Sequence, residues 1–84
     1  MDFTKFKALL DEQVEWPDHY TFKFVVKSHK KEDLVALIDD HHIQEKSSST
    51  GKYTSITARK MFRSSDEVVA VYHKVSKIEG ILSL

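Results

Sequence analysis

Ser48-Ser49-Thr50-Gly51-Lys52-Tyr53-Thr54-Ser55-Ile56-Thr57-Ala58-Arg59 is the stretch that decides the fold. Ser49-Thr50-Gly51-Lys52 reads as a turn in which Gly51 takes a positive φ, a conformation glycine adopts without steric cost. From Tyr53 to about Phe62 the residues alternate. Thr54, Ile56, Ala58 and Phe62 point one way; Tyr53, Ser55, Thr57, Arg59 and Met61 point the other. Alternation of this kind marks a strand with one covered face. On the upstream side, residues 42–48 contain Ile43 as their single aliphatic side chain and read as a polar edge strand. The two strands form a hairpin about Gly51.

Downstream, Ser64-Ser65-Asp66-Glu67 fits a capping box, with Ser64 capping and Glu67 reaching back. Val68, Val71, Tyr72, Val75 and Ile78 then form a helical stripe, and Gly80 is placed to end that helix in the left-handed conformation. Ile81-Leu82-Ser83-Leu84 reads as a last short strand. Upstream, residues 30–41 form a helix capped by Ser28, with Leu34, Leu37, Ile38 and His41 as its buried stripe and Val35 at the margin. Before it, Tyr20 to Lys27 is a strand: Tyr20, Phe22, Phe24 and Val26 line a core face, and Thr21, Lys23, Val25 and Lys27 the other. Phe3, Phe6, Leu10 and Val14 make residues 3–14 a short amphipathic helix with Asp2 as its N-cap, ended by Trp16-Pro17. A helix this short is marginal alone and must dock.

Without the first helix the order is β-α-β-β-α-β, the ferredoxin-like arrangement. The expected fold is α+β: an antiparallel sheet of order 4-1-3-2, two helices on one face, and an extra N-terminal helix. Tyr20-Thr21 and Tyr53-Thr54 open the matching strands of two similar halves.

The chain has 84 residues and reads as a single domain with room for one core layer and no deep active site. Its 13 Lys+Arg balance 13 Asp+Glu, which removes the broad basic excess typical of nucleic-acid and acidic-membrane binders and leaves room for a local basic patch. The absence of cysteine excludes disulfides, thiolate metal sites and a cysteine nucleophile. Neither a signal peptide nor an apolar run long enough to span a bilayer is present, so the expected location is the cytoplasm.

The pattern Lys46, Ser48, Ser49, Gly51, Tyr53 and Ser55 resembles the central motif of the YbeD-like family of small bacterial proteins of unknown function. Ser47 stands where that motif often has proline. Trp16-Pro17 ahead of Tyr20-Thr21-Phe22-Lys23, and Lys77-Ile78-Glu79 near the end, fit the same family, so the resemblance covers nearly the whole chain. It implies a ferredoxin-like fold similar to ACT regulatory domains, and no enzyme activity. Amino-acid-binding ACT domains typically place glycine where the first strand meets the first helix; here that junction is Lys27-Ser28-His29-Lys30.

Thr50-Gly51-Lys52 is not a phosphate loop, because position 46 is lysine, Tyr53 replaces the required Ser/Thr, and the segment joins two strands. Lys46, Ser48, Ser49, Gly51, Lys52 and Tyr53 remain a candidate anion or metabolite site built on exposed amides and hydroxyls. Adjacent residues on a helix diverge, so Asp39-Asp40-His41-His42 is not read as a metal site. Neither catalytic residues nor a cofactor are assigned, and the chain is read as non-enzymatic. Lys23, Ser55, Thr57 and Arg59 mark a candidate interaction face, with Lys27 and Tyr53 beside them. The N-terminal helix or a second subunit is expected to cover part of that face. The leading reading is a regulatory or protein-interaction module with a protein partner or a weak homodimer. A small-ligand sensor is the alternative, and a weak RNA binder ranks third, since central aromatics for base stacking are missing.

Overall fold

The computed structural model describes residues 3–84. The elements run α1 (Thr4–Gln13), β1 (Asp18–Lys27), a 3₁₀ turn (Ser28–Lys30), α2 (Lys31–Leu37), β2 (His42–Ser47), β3 (Tyr53–Phe62), α3 (Ser65–Val75) and β4 (Leu82–Ser83). The expected N-cap, Asp2, lies outside the described residues.

The four strands form one antiparallel sheet in the order β2-β3-β1-β4. β1 and β3 pair along their whole length, from Asp18 opposite Phe62 to Lys27 opposite Tyr53. β2 pairs with β3 from His42 opposite Arg59 to Ser47 opposite Thr54. A strand period of two puts Phe22, Phe24 and Val26 of β1 on the same side as Thr54, Ile56, Ala58 and Phe62 of β3. All seven are buried. The helices close over them with Leu10, Leu34, Val68, Val71 and Val75, and Ile38 joins them from the turn after α2. Fully burying one such aliphatic or aromatic side chain contributes about 1.5–3 kcal/mol, so this single layer supplies most of the driving force.

α1 lies on the helical side. Phe3 stacks on Tyr72 at 5.7 Å between ring centroids, Phe6 meets Tyr72 edge-on at 5.3 Å, and Ser65 donates a hydrogen bond to Asp11. Of the two covers expected for part of the open face, the N-terminal helix or a second subunit, the first is therefore corrected. Tyr20 and Phe22 extend the aromatic cluster, and the Tyr20 and Tyr72 hydroxyls sit 3.3 Å apart; burial and this neighbour push the Tyr20 phenol up.

Several helix ends differ from the sequence reading. α2 stops at Leu37; Ile38 leaves the helical region with φ −128°, and His41 is buried from the turn that follows. The His41 ring lies between Phe22 and Phe62 with Nδ1 2.9 Å from an Asp40 oxygen. Ser28 makes no capping bond. Ser64 precedes α3 without a side-chain cap bond, and Glu67 instead accepts from the Arg63 N–H at 2.8 Å. α3 stops at Val75, and two further turns carry the chain through buried Ile78 to Gly80 at φ +76°. Gly80 thus shapes the approach to the last strand rather than the helix end. That strand is reduced to Leu82–Ser83, though the Leu84 N–H still reaches the Lys23 carbonyl at 2.8 Å.

Candidate functional site

The side of the sheet away from the helices is open. Register decides what it displays. Lys46 of β2, Ser55 of β3, Val25 of β1 and Leu82 of β4 form one row. Gln44, Thr57 and Lys23 form the next, with Leu84 bonded beside Lys23. His42, Arg59 and Thr21 follow on one side, Tyr53 and Lys27 on the other. Lys23, Thr57, Ser55 and Arg59, the predicted interaction residues, therefore share a surface, and the predicted ligand residues Lys46 and Tyr53 share it with them.

A depression of about 190 Å³ lies in this surface, lined by Val25, Lys46, Ser47, Ser48, Tyr53 and Ser55. Ser49, Gly51 and Lys52 of the predicted ligand group stay outside it in the turn, although the Lys52 ammonium sits 5.8 Å from the Tyr53 ring centroid. Four of the turn's amides are taken up within it. The Gly51 N–H donates to the Ser48 carbonyl at 2.9 Å, the Ser48 N–H to the Tyr53 carbonyl at 2.8 Å, and the Tyr53 N–H to the Ser48 hydroxyl at 3.1 Å. The Lys52 N–H faces the Thr50 hydroxyl at 3.4 Å. What the depression offers is a cation, hydroxyls and a phenol over an apolar floor.

Ser28 fixes this turn from behind. Its hydroxyl donates to the Gly51 carbonyl at 2.6 Å and lies 2.9 Å from the Thr54 hydroxyl, while its N–H donates to the Lys52 carbonyl at 2.9 Å. The junction where β1 leaves the sheet thus clamps the β2–β3 turn, and the position of Tyr53 follows from both.

Charge is distributed unevenly. Lys23, Lys27, Lys46 and Arg59 stand on the open face with Lys52 at its rim, and its strand positions carry no Asp or Glu. Among the described residues none of these five basic groups has a carboxylate partner. Three cations elsewhere are paired: Lys7 with Asp11 at 3.0 Å, Lys31 with Glu45 at 3.0 Å, and Lys60 with Asp40 at 2.6 Å. The Lys60 ammonium, followed by His41, holds the Asp40 carboxyl down at about 2. Positive charge on the open face therefore stands without carboxylates among it, in a chain of balanced composition.

Leu82 and Leu84, 58% and 79% exposed, form an aliphatic margin beside Val25 and Lys23. Sequence reasoning placed them in a terminal strand whose edge suits strand addition; the register with β1, which places them on the open face, carries no local signal. Val25 and Ser47 were also missed, though alternation from Lys23 points to Val25. A larger hollow of about 460 Å³ beneath β4, lined by Phe3, Phe24, Tyr72, Val75 and Ile81 among others, is mainly aliphatic and aromatic, with Glu79 its one charged residue. Among the described residues no three His, Asp or Glu gather as metal ligands, and no helix is long and apolar enough to cross a membrane.

Fold and site define a small α+β protein with a one-sided antiparallel sheet whose bare face is basic. Residues 11–84 match the family described as "Protein of unknown function (DUF493)". Proteins named UPF0250 from Shewanella baltica, Shewanella oneidensis and Shewanella putrefaciens are each 33% identical over 78 residues, covering 84% of this chain and 89% of the relative. The chain belongs to this DUF493/UPF0250 family, the YbeD family, whose function is not assigned. No solved structure matches the chain.

Proposed function

We propose that this protein is a non-enzymatic interaction or regulatory module of the ferredoxin-like, ACT-like kind, acting through its open sheet face. The carrying observation is that all three helices pack on the other side, leaving a four-stranded surface bare. After α1 the elements follow β-α-β-β-α-β, and the sheet read from β4 runs 4-1-3-2, which supports the ferredoxin-like assignment. A flat face without a deep cleft suits a macromolecular partner better than a reaction. Affinity capture from bacterial extract with the wild type and Thr57→Trp, which places a bulky ring at the centre of the face, tests this. A partner or second copy retained by the wild type and lost by the variant is the expected result. A monomer that retains nothing, or capture indifferent to Thr57→Trp, would overturn it.

A second reading, a sensor of a small anionic metabolite, is favoured by the convergence of Lys46, Ser48 and Tyr53 in the depression. Thermal-shift measurements with phosphorylated metabolites and amino acids at millimolar concentration test it; the absence of any stabilisation removes it.

A further inference from the structure

We propose that the partner of the open face is an acidic protein segment carrying aliphatic anchors. This rests on the reading of the face as an interaction surface and names the chemistry that would fill it.

Charge complementarity is the first argument. The face and its rim carry five of the thirteen basic residues and none of the twelve acidic residues from Asp11 onward. Exposed cations left without internal partners attract a complementary anion, and opposing potentials across an interface speed encounter and select partners. The dimensions fit one short segment. Four residues of strand rise separate Lys23 from Lys27 by about 13 Å, and the basic side chains fall on three adjacent strands, about 10 Å across.

The aliphatic margin decides among anionic partners. Val25, Leu82 and Leu84 run along the β1–β4 side, directly beside Lys23. A polynucleotide has no aliphatic groups to cover them, and for base stacking the face offers Tyr53 and the imidazoles of His19 and His42, with neither Phe nor Trp among its strand positions. An acidic segment with interspersed leucine or similar residues satisfies both halves of the surface: carboxylates over Lys27, Arg59 and Lys46, and apolar side chains against Leu82 and Leu84. The depression takes one carboxylate, with the Lys46 ammonium and the hydroxyls of Ser48, Ser55 and Tyr53 as its possible donors.

The test is fluorescence anisotropy with the full chain. The probes are a labelled peptide of about twelve alternating glutamates and leucines, its glutamine counterpart, an oligouridylate of similar length, and phosphatidylglycerol vesicles. The glutamate peptide should bind, and binding should weaken about tenfold or more between low and several-fold higher salt. Lys27→Glu with Lys46→Glu should lower affinity about tenfold or more, and Leu82→Ser should lower it without changing the salt dependence. Lys27 and Lys46 are exposed and make no ion pair, so reversal should leave the thermal midpoint nearly unchanged. Equal binding of the glutamine peptide, indifference to charge reversal, or tighter binding of the oligouridylate or the vesicles would overturn the acidic partner. Absence of binding to the glutamate peptide would overturn it as well. Capture that remains sensitive to Thr57→Trp alongside any of these results leaves the interaction module standing; loss of that sensitivity removes both.

Discussion

Gly51 and Ser28 stand on opposite sides of one backbone contact, and each is needed for a different reason. Gly51 holds φ +73°, and a Cβ placed there meets nothing within 4 Å. The cost of Gly51→Ala is therefore backbone strain alone, about 1–2 kcal/mol, measured as a lowered urea midpoint. Ser28→Ala removes the bond to the Gly51 carbonyl and leaves the buried Thr54 hydroxyl without that neighbour. About 1–2 kcal/mol should be lost, and Tyr53 should become more mobile by NMR relaxation. Asp40 gives the pH dependence. Its carboxyl is lowered from 3.8 to about 2, mainly by Lys60. A depressed carboxyl stabilises the fold above its unfolded value, and that contribution is lost as pH falls through the folded one. The urea midpoint should therefore decline between about pH 4 and 2, and Asp40→Asn should remove that part of the decline. The carboxylate is half exposed, so solvent screening keeps the contribution below about 1 kcal/mol. At this scale alternation in the sequence placed Tyr53, Ser55, Thr57 and Arg59 outward and Ile56 and Ala58 inward, as the structure has them. The role of Ser28 was illegible because its acceptor lies 23 residues away.

The elements show where periodicity informs and where it misleads. Strand alternation located β3 and the sides its residues face, since pairing and burial share the same period. The helical stripes were less faithful. His41 and Ile78 sit at helical spacing and are buried, yet both belong to turns after α2 and α3. Such spacing reports which side chains meet the core, and a turn can deliver a side chain there as well as a helix does. The docking of α1 was beyond reach for another reason: its apolar stripe fits either side of the sheet, and only the Phe3, Phe6, Tyr20 and Tyr72 cluster selects the helical side. Hydrogen exchange should grade the sheet accordingly. Amides joining β1 and β3, paired over ten positions, should exchange slowest, and the Leu84 amide bonded to Lys23 should exchange among the fastest of the bonded sheet amides.

At the level of the whole molecule, balanced composition conceals a polarised surface. The sequence-wide tally of charges removed the argument from a broad basic excess and left a local patch open, because a sum over residues carries no information about where they stand. The register of four strands is what gathers Lys23, Lys27, Lys46 and Arg59 together and turns every described acidic residue elsewhere. The neutral sum has a practical corollary at the bench. With a sequence pI near 7.0, the protein should pass through a cation-exchange column at about pH 8 if net charge governed adsorption. A resin reads only the side presented to it, so at low salt the protein should be retained and elute in a salt gradient. Lys27→Glu with Lys46→Glu should bring it out in the flow-through, and an unretained wild type would show that the basic face is too weak to orient the molecule.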